Sequence, residues 1–99
     1  MTGTPSQIEW AEQIKPRVGA EFDRVSTALT EAVSNKGEQV RADARAVVAI
    51  LEEKRAEVMA KDHAGYFIRE WGELGDQVRQ MIGKDARFQA VLARKAAQK

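Results

Sequence analysis

Apolar residues recur along this chain at steps of three and four over most of its length. Ile8, Ala11, Ile14, Val18, Phe22, Val25, Leu29 and Ala32 form a first stripe. Val40, Ala44, Val47, Ile50, Leu51, Ala56 and Val58 form a second, and Phe67, Trp71, Leu74, Val78 and Met81 a third. A helix returns to the same face every ~3.6 residues, so each set marks one side of a helix. No stretch alternates with the period of two that a half-buried strand requires. The pattern predicts an all-α chain without strands.

Local signals set the expected boundaries. Thr4-Pro5-Ser6-Gln7 reads as a helix start: Thr4 caps, Pro5 fills the first helical position, and Gln7 completes a capping box. The first stripe keeps phase across Pro16, and Lys15 is no capping residue, so one long helix over about 5–34, kinked at Pro16, is expected. Asn35-Lys36-Gly37 ends it, with Gly37 suited to a left-handed terminal residue. A second helix over about 38–61 is rich in strong helix formers and holds neither Gly nor Pro. Asp62 is expected to cap a third over about 63–82, weakened by Gly65, Gly72 and Gly75. Gly83 stops that helix, and Asp85 caps a fourth over about 86–97. The short connection between the first two helices makes them an antiparallel hairpin. The expected architecture is an antiparallel bundle of three to four helices forming a single domain over residues 1–99.

Composition narrows the function classes. With 99 residues the chain is of ordinary size for one domain. It has no cysteine, which excludes disulfides and thiolate metal sites. No apolar run reaches the ~18 residues of a membrane span, and the first ten residues lack the basic and apolar regions of a secretory signal. Cytoplasm, with no membrane partner, is the expected setting. Sixteen Lys and Arg stand against fifteen Asp and Glu, for a net charge of +1. That balance suits solvated helix faces and argues against a strong nucleic-acid field. The one local bias is the tail, where Lys84, Arg87, Arg94, Lys95 and Lys99 face only Asp85.

The run Ser6-Gln7-Ile8-Glu9-Trp10-Ala11-Glu12-Gln13-Ile14 resembles a Gln-Ile-x-Trp-Ala-Glu-x-Ile helix of small uncharacterised helical proteins from bacteria and their mobile elements. The likeness spans about nine residues and carries no catalytic signature. It implies a helical module in which Ile8, Trp10, Ala11 and Ile14 pack, and nothing about activity.

Candidate chemistry is sparse. His63 is the single histidine, and Asp62 beside it would be an acid–imidazole pair only with a nucleophile or pocket at hand. Di-metal helical bundles use Glu-x-x-His, whereas Glu12, Glu53 and Glu57 are followed three residues on by Lys15, Ala56 and Ala60. Gly72-Glu73-Leu74-Gly75 has the spacing of an RNA-clamping loop, but within an unbroken helical stripe it reads as helix packing. No phosphate loop is present, so no cofactor and no small-molecule substrate are expected, and the chain reads as non-enzymatic.

Two readings survive. The first is an interaction or assembly module that binds a protein partner or itself, as a homodimer, with Ile8, Trp10, Ile14 and Tyr66 as the candidate partner surface. The second takes residues 74–82, the following turn and residues 86–97 as a helix-turn-helix outline. There Arg87 and Gln89 would reach bases, and Arg94 and Lys95 would meet phosphate.

Overall fold

The computed structural model describes residues 1–97, so Lys99 lies outside it. Five helices follow one another: α1 (Pro5–Ala32), α2 (Glu38–Met59), α3 (Ala64–Trp71), α4 (Gln77–Gly83) and α5 (Ala86–Ala97). They make up 79% of an all-α chain without strands among the described residues. The molecule is elongated, 53 × 24 × 19 Å.

The start of α1 follows its sequence signature. The Thr4 hydroxyl accepts from the Gln7 amide at 3.2 Å, and the Gln7 side chain accepts from the Thr4 amide at 2.9 Å. The helix then passes through Pro16 without interruption. Proline removes the hydrogen bond to the Glu12 carbonyl. In-phase burial offsets that loss: Ala11 and Ile14 before it, and Val18 and Phe22 after it, all face the core. Pro16 itself is exposed. Pro16→Ala therefore restores a backbone bond while sacrificing little packing. It is expected to raise stability by about 1 kcal/mol, read by chemical denaturation, because greater unfolded-chain entropy returns part of the gain.

The reversal after α1 differs from expectation. Helix α1 ends at Ala32, and Gly37 is not left-handed: with φ −66° and ψ 167° it is the extended N-cap of α2. Hydrogen bonds from the Ser34 amide to the Glu31 carbonyl (3.3 Å) and from Lys36 to Val33 (3.0 Å) already turn the chain. No left-handed residue is then needed.

The third predicted helix is two helices. Residues 72–76 leave the helix between α3 and α4, so the bundle has five elements where three to four were expected. At Gly72 an added Cβ would collide with the Ile68 carbonyl oxygen, so the backbone path at the break requires glycine there. Gln77 holds it open. Its side-chain amide donates to the carbonyls of Glu70 (3.1 Å) and Glu73 (2.6 Å), and its oxygen accepts from the Gly75 amide (2.7 Å). Those bonds satisfy backbone groups that a continued helix would otherwise pair. Leu74, counted in the third stripe, is consequently exposed.

The core is built by Val18 and Phe22 of α1, Leu51 and Val58 of α2, Phe67 and Trp71 of α3, and Val78 and Ile82 of α4. The α1 helix packs against α2 and α3, and α2 also meets α4 and α5. Between them these neighbours bury Ala44, Val47, Ile50, Leu51 and Val58 of α2. The less covered end of α1 lies beyond Phe22, where Val25, Leu29 and Val33 are not fully buried. No helix of the described residues is long and apolar enough to cross a membrane.

Candidate interaction surfaces

Asp62 and His63 are occupied in fixing the first residues of the chain. The Thr2 amide donates to the Asp62 carbonyl at 2.8 Å, and the Ala64 amide donates to the Thr2 carbonyl at 2.9 Å, forming one isolated parallel bridge. The Met1 ammonium lies 3.0 Å from the Asp62 carboxylate and holds it below its ordinary carboxylate range. The Thr2 hydroxyl sits 2.5 Å from His63 Nδ1. His63, not Asp62, is the N-cap of α3, and it makes no side-chain capping bond. The two side chains therefore serve a local clasp and do not converge on a common point. Among the described residues, no group of His, Asp and Glu is placed to hold a metal ion.

Gly72 and Gly75 fall in the α3–α4 loop, not within a helix as the stripe implied. The loop's Gly75 amide and Glu73 carbonyl are already engaged by Gln77, so they are not presented to a phosphate backbone.

The four residues of the candidate partner surface do not share one face. Ile14 is core, at 4% exposure, because it falls on the buried line of α1 with Ala11 and Val18. Ile8 is half-buried against the same core. Tyr66 packs edge-on to Phe67 at 5.2 Å, and its hydroxyl accepts from Trp71 Nε1 at 3.2 Å. Trp10 alone stands out, at 51% exposure. It borders an open surface depression with Ile68, Gly72 and Gln77 and the charged Arg69, Glu70 and Glu73.

Three of the four tail residues considered for DNA, Arg87, Gln89 and Arg94, are tied down within the chain. Arg87 reaches Glu53 at 2.7 Å and Asp85 at 2.9 Å, while Lys54 meets Asp85 at 3.2 Å. Hydrogen bonds from Arg87, together with Lys54, hold the Asp85 carboxyl far below the usual range. Arg94 pairs with Asp43, which is only 5% exposed and also accepts from Gln39 at 3.0 Å. Gln89 donates to the Gly83 carbonyl. Arg87 meets Glu53 and Arg94 meets Asp43, so α5 runs antiparallel to α2.

Beneath α5 lies a second surface, absent from the sequence-based expectations. Leu29 and Val33 of the first helix and its following turn, Val40, Ala44 and Val47 of α2, and Phe88, Val91 and Leu92 of α5 enclose an open, mainly apolar groove of about 200 Å³. Asp43 and Lys95 supply its charged groups. None of the residues of α5 is fully buried. The sequence does carry a signal for it: Phe88, Val91 and Leu92 fall at helical spacing and mark an apolar side on a helix noted chiefly for its bases. Asp43 bears no such mark, since its burial depends on a helix arriving from far along the chain.

Comparison with family models, with curated proteins and with solved structures returns no match for this chain.

Proposed function

We propose that this chain is a non-enzymatic helical interaction module whose docking face centres on Trp10. The observation that supports this reading is the exposure of that indole beside Ile68, on a helix whose other large apolar side chains turn inward. An exposed ring forgoes roughly 25 cal/mol per Å² of apolar surface left in water, a gain recovered when a partner covers it. Tryptophan is also among the side chains that most often dominate a protein interface, since it buries a large rigid area and keeps one N–H donor for orientation. The partner class is a protein surface, either another protein or a second copy.

The DNA-binding reading is less well supported. Arg87 and Arg94 would have to leave Asp85, Glu53 and Asp43 to meet phosphate, and those carboxylates would remain beside the duplex.

Trp10→Ser tests the proposal. Tagged wild-type chain, Trp10→Ser and the surface control Lys36→Ala are used to recover proteins from the native host, and affinities of recovered partners are then measured. Trp10→Ser is expected to keep the helical circular dichroism spectrum and to weaken partner binding at least about tenfold, as loss of an interface anchor does. Lys36→Ala should bind as wild type. Equal affinity of all three chains would contradict the reading.

A further inference from the structure

We propose that α5 is an exchangeable strap, and that the α1–α2 face it packs against also receives α5 of a second copy of this chain. The groove shares no lining residue with the depression beside Trp10, so the exchange does not depend on the Trp10 reading.

Three observations carry it. First, α5 has no buried residue, yet its cations answer carboxylates of α2: Arg94 pairs with the buried Asp43, and Arg87 with Glu53. Such a helix is held by ion pairs and partial apolar cover, the features of an element that opens on its own. Second, the face under α5 is matched to it: Asp43 stands among Leu29, Val40 and Val47 and takes its cation from Arg94. The complement available on an identical chain is Phe88, Val91 and Leu92 with Arg94 at the same register. Third, the hinge is minimal. The α4 helix ends at Gly83 and Lys84 keeps helical dihedrals (φ −88°, ψ −10°), so Asp85 alone separates two helices. Its carboxylate caps α5 by accepting from the Arg87 amide at 2.8 Å. Turning Asp85 helical fuses α4 and α5 into one rod over residues 77–97, about 31 Å long, that carries the strap away from its own groove. Exchange of an identical element between copies makes the same contacts in trans as in cis. The short tether gives the cis arrangement a high effective concentration, so the closed single chain dominates at micromolar protein and exchange grows with the concentration of copies.

Charge reversal tests the exchange. In the Asp43→Arg chain two guanidinium groups meet at the latch, and in the Arg94→Asp chain two carboxylates meet there. Each chain is thus mismatched with itself and with its own kind. Mixed, the two chains form a reciprocal heterodimer in which both latches are matched. All chains carry Trp10→Ser, which removes the Trp10 face from the result and keeps failure here separate from failure there. After joint unfolding and refolding at micromolar concentration, sedimentation velocity is expected to give the one-chain mass for each variant alone and twice that mass for the mixture. The Asp43→Arg/Arg94→Asp double variant restores a cis pair and is expected to be a folded single chain. As a second arm, Asp85→Ala removes the cap at the hinge and leaves the pairs with Asp43 and Glu53 intact. It is expected to raise the dimer fraction severalfold over the Trp10→Ser parent. A mixture that sediments at the one-chain mass while the double variant is folded would overturn the proposal. If a single variant does not fold, an Asp85→Ala chain with the parent's mass at every concentration overturns it instead.

Discussion

Replacing Phe67 by Ala is expected to cost about 3–5 kcal/mol of unfolding free energy, the largest effect of any change considered for this chain. Phe67 has no exposed surface and joins α3 to α1 in the best-packed part of the molecule. Its ring meets that of Tyr66 edge-on at 5.2 Å, and the Lys15 ammonium lies 5.4 Å from its centroid. Truncation removes the transfer free energy of the ring and leaves a cavity that α1, locked in phase by Ile14 and Val18, is poorly placed to fill. Net stabilities of small domains run only about 5–15 kcal/mol, so the loss is a large share of the whole. Urea titration followed by circular dichroism reads it as a lower midpoint with an unchanged slope. A shift below about 1 kcal/mol would show that α3 is not part of the core that holds α1.

Gly3→Ala is expected to cost about 1–3 kcal/mol, although the position lies on a tail that sequence patterning leaves blank. Gly3 is the only residue with positive φ among those described, at +139°, a conformation that L side chains rarely adopt. An added Cβ would stand 3.0 Å from the Cβ of Ala64 and 3.2 Å from the Gln7 side-chain oxygen. Ala64 has no exposed surface to yield into, and Gln7 is committed to the capping box. The chain escapes the strain only by releasing Thr2 from Asp62 and Ala64, which also uncovers the Met1 side chain, 7% exposed in place. The upper bound on the cost is therefore the free energy of docking residues 1–3. Denaturation gives the total, and loss of hydrogen-exchange protection at the Thr2 and Ala64 amides identifies the route.

The long helices are legible in the sequence, α1 by its apolar stripe and capping box, α2 by its apolar stripe and lack of breakers. Pro16 reads as interior, and it is, since an in-phase stripe on both sides outweighs one missing bond. The α3–α4 break is hidden for a specific reason: the stripe through Leu74 keeps helical spacing even though the chain leaves the helix there. The deciding features are Gln77 reaching back to three backbone groups and the close backbone approach that Gly72 permits, neither of which is a periodic signal. The candidate surfaces divide on the same point. Trp10 lies off the first stripe and is exposed, whereas Ile14 lies on it and is buried with Ala11 and Val18, so the helical period itself separates the two. Asp43 and the groove beneath α5 carry no local mark, since they exist only when α1, α2 and α5 meet.

If α1 to α4 form a closed core and α5, which has no buried residue, is its displaceable margin, α5 opens while the core stays shut. Native-state hydrogen exchange tests it most directly. Amides in the middle of α1, in α3 and in the part of α2 facing α4 are expected to exchange only through global unfolding, whereas α5 amides exchange through local opening on the order of a hundredfold faster or more. Raising the salt concentration should accelerate α5 further and leave the core amides unchanged, because the pairs Arg94–Asp43 and Arg87–Glu53 are ionic. Equal protection of α5 and α1, unaffected by salt, would contradict the account.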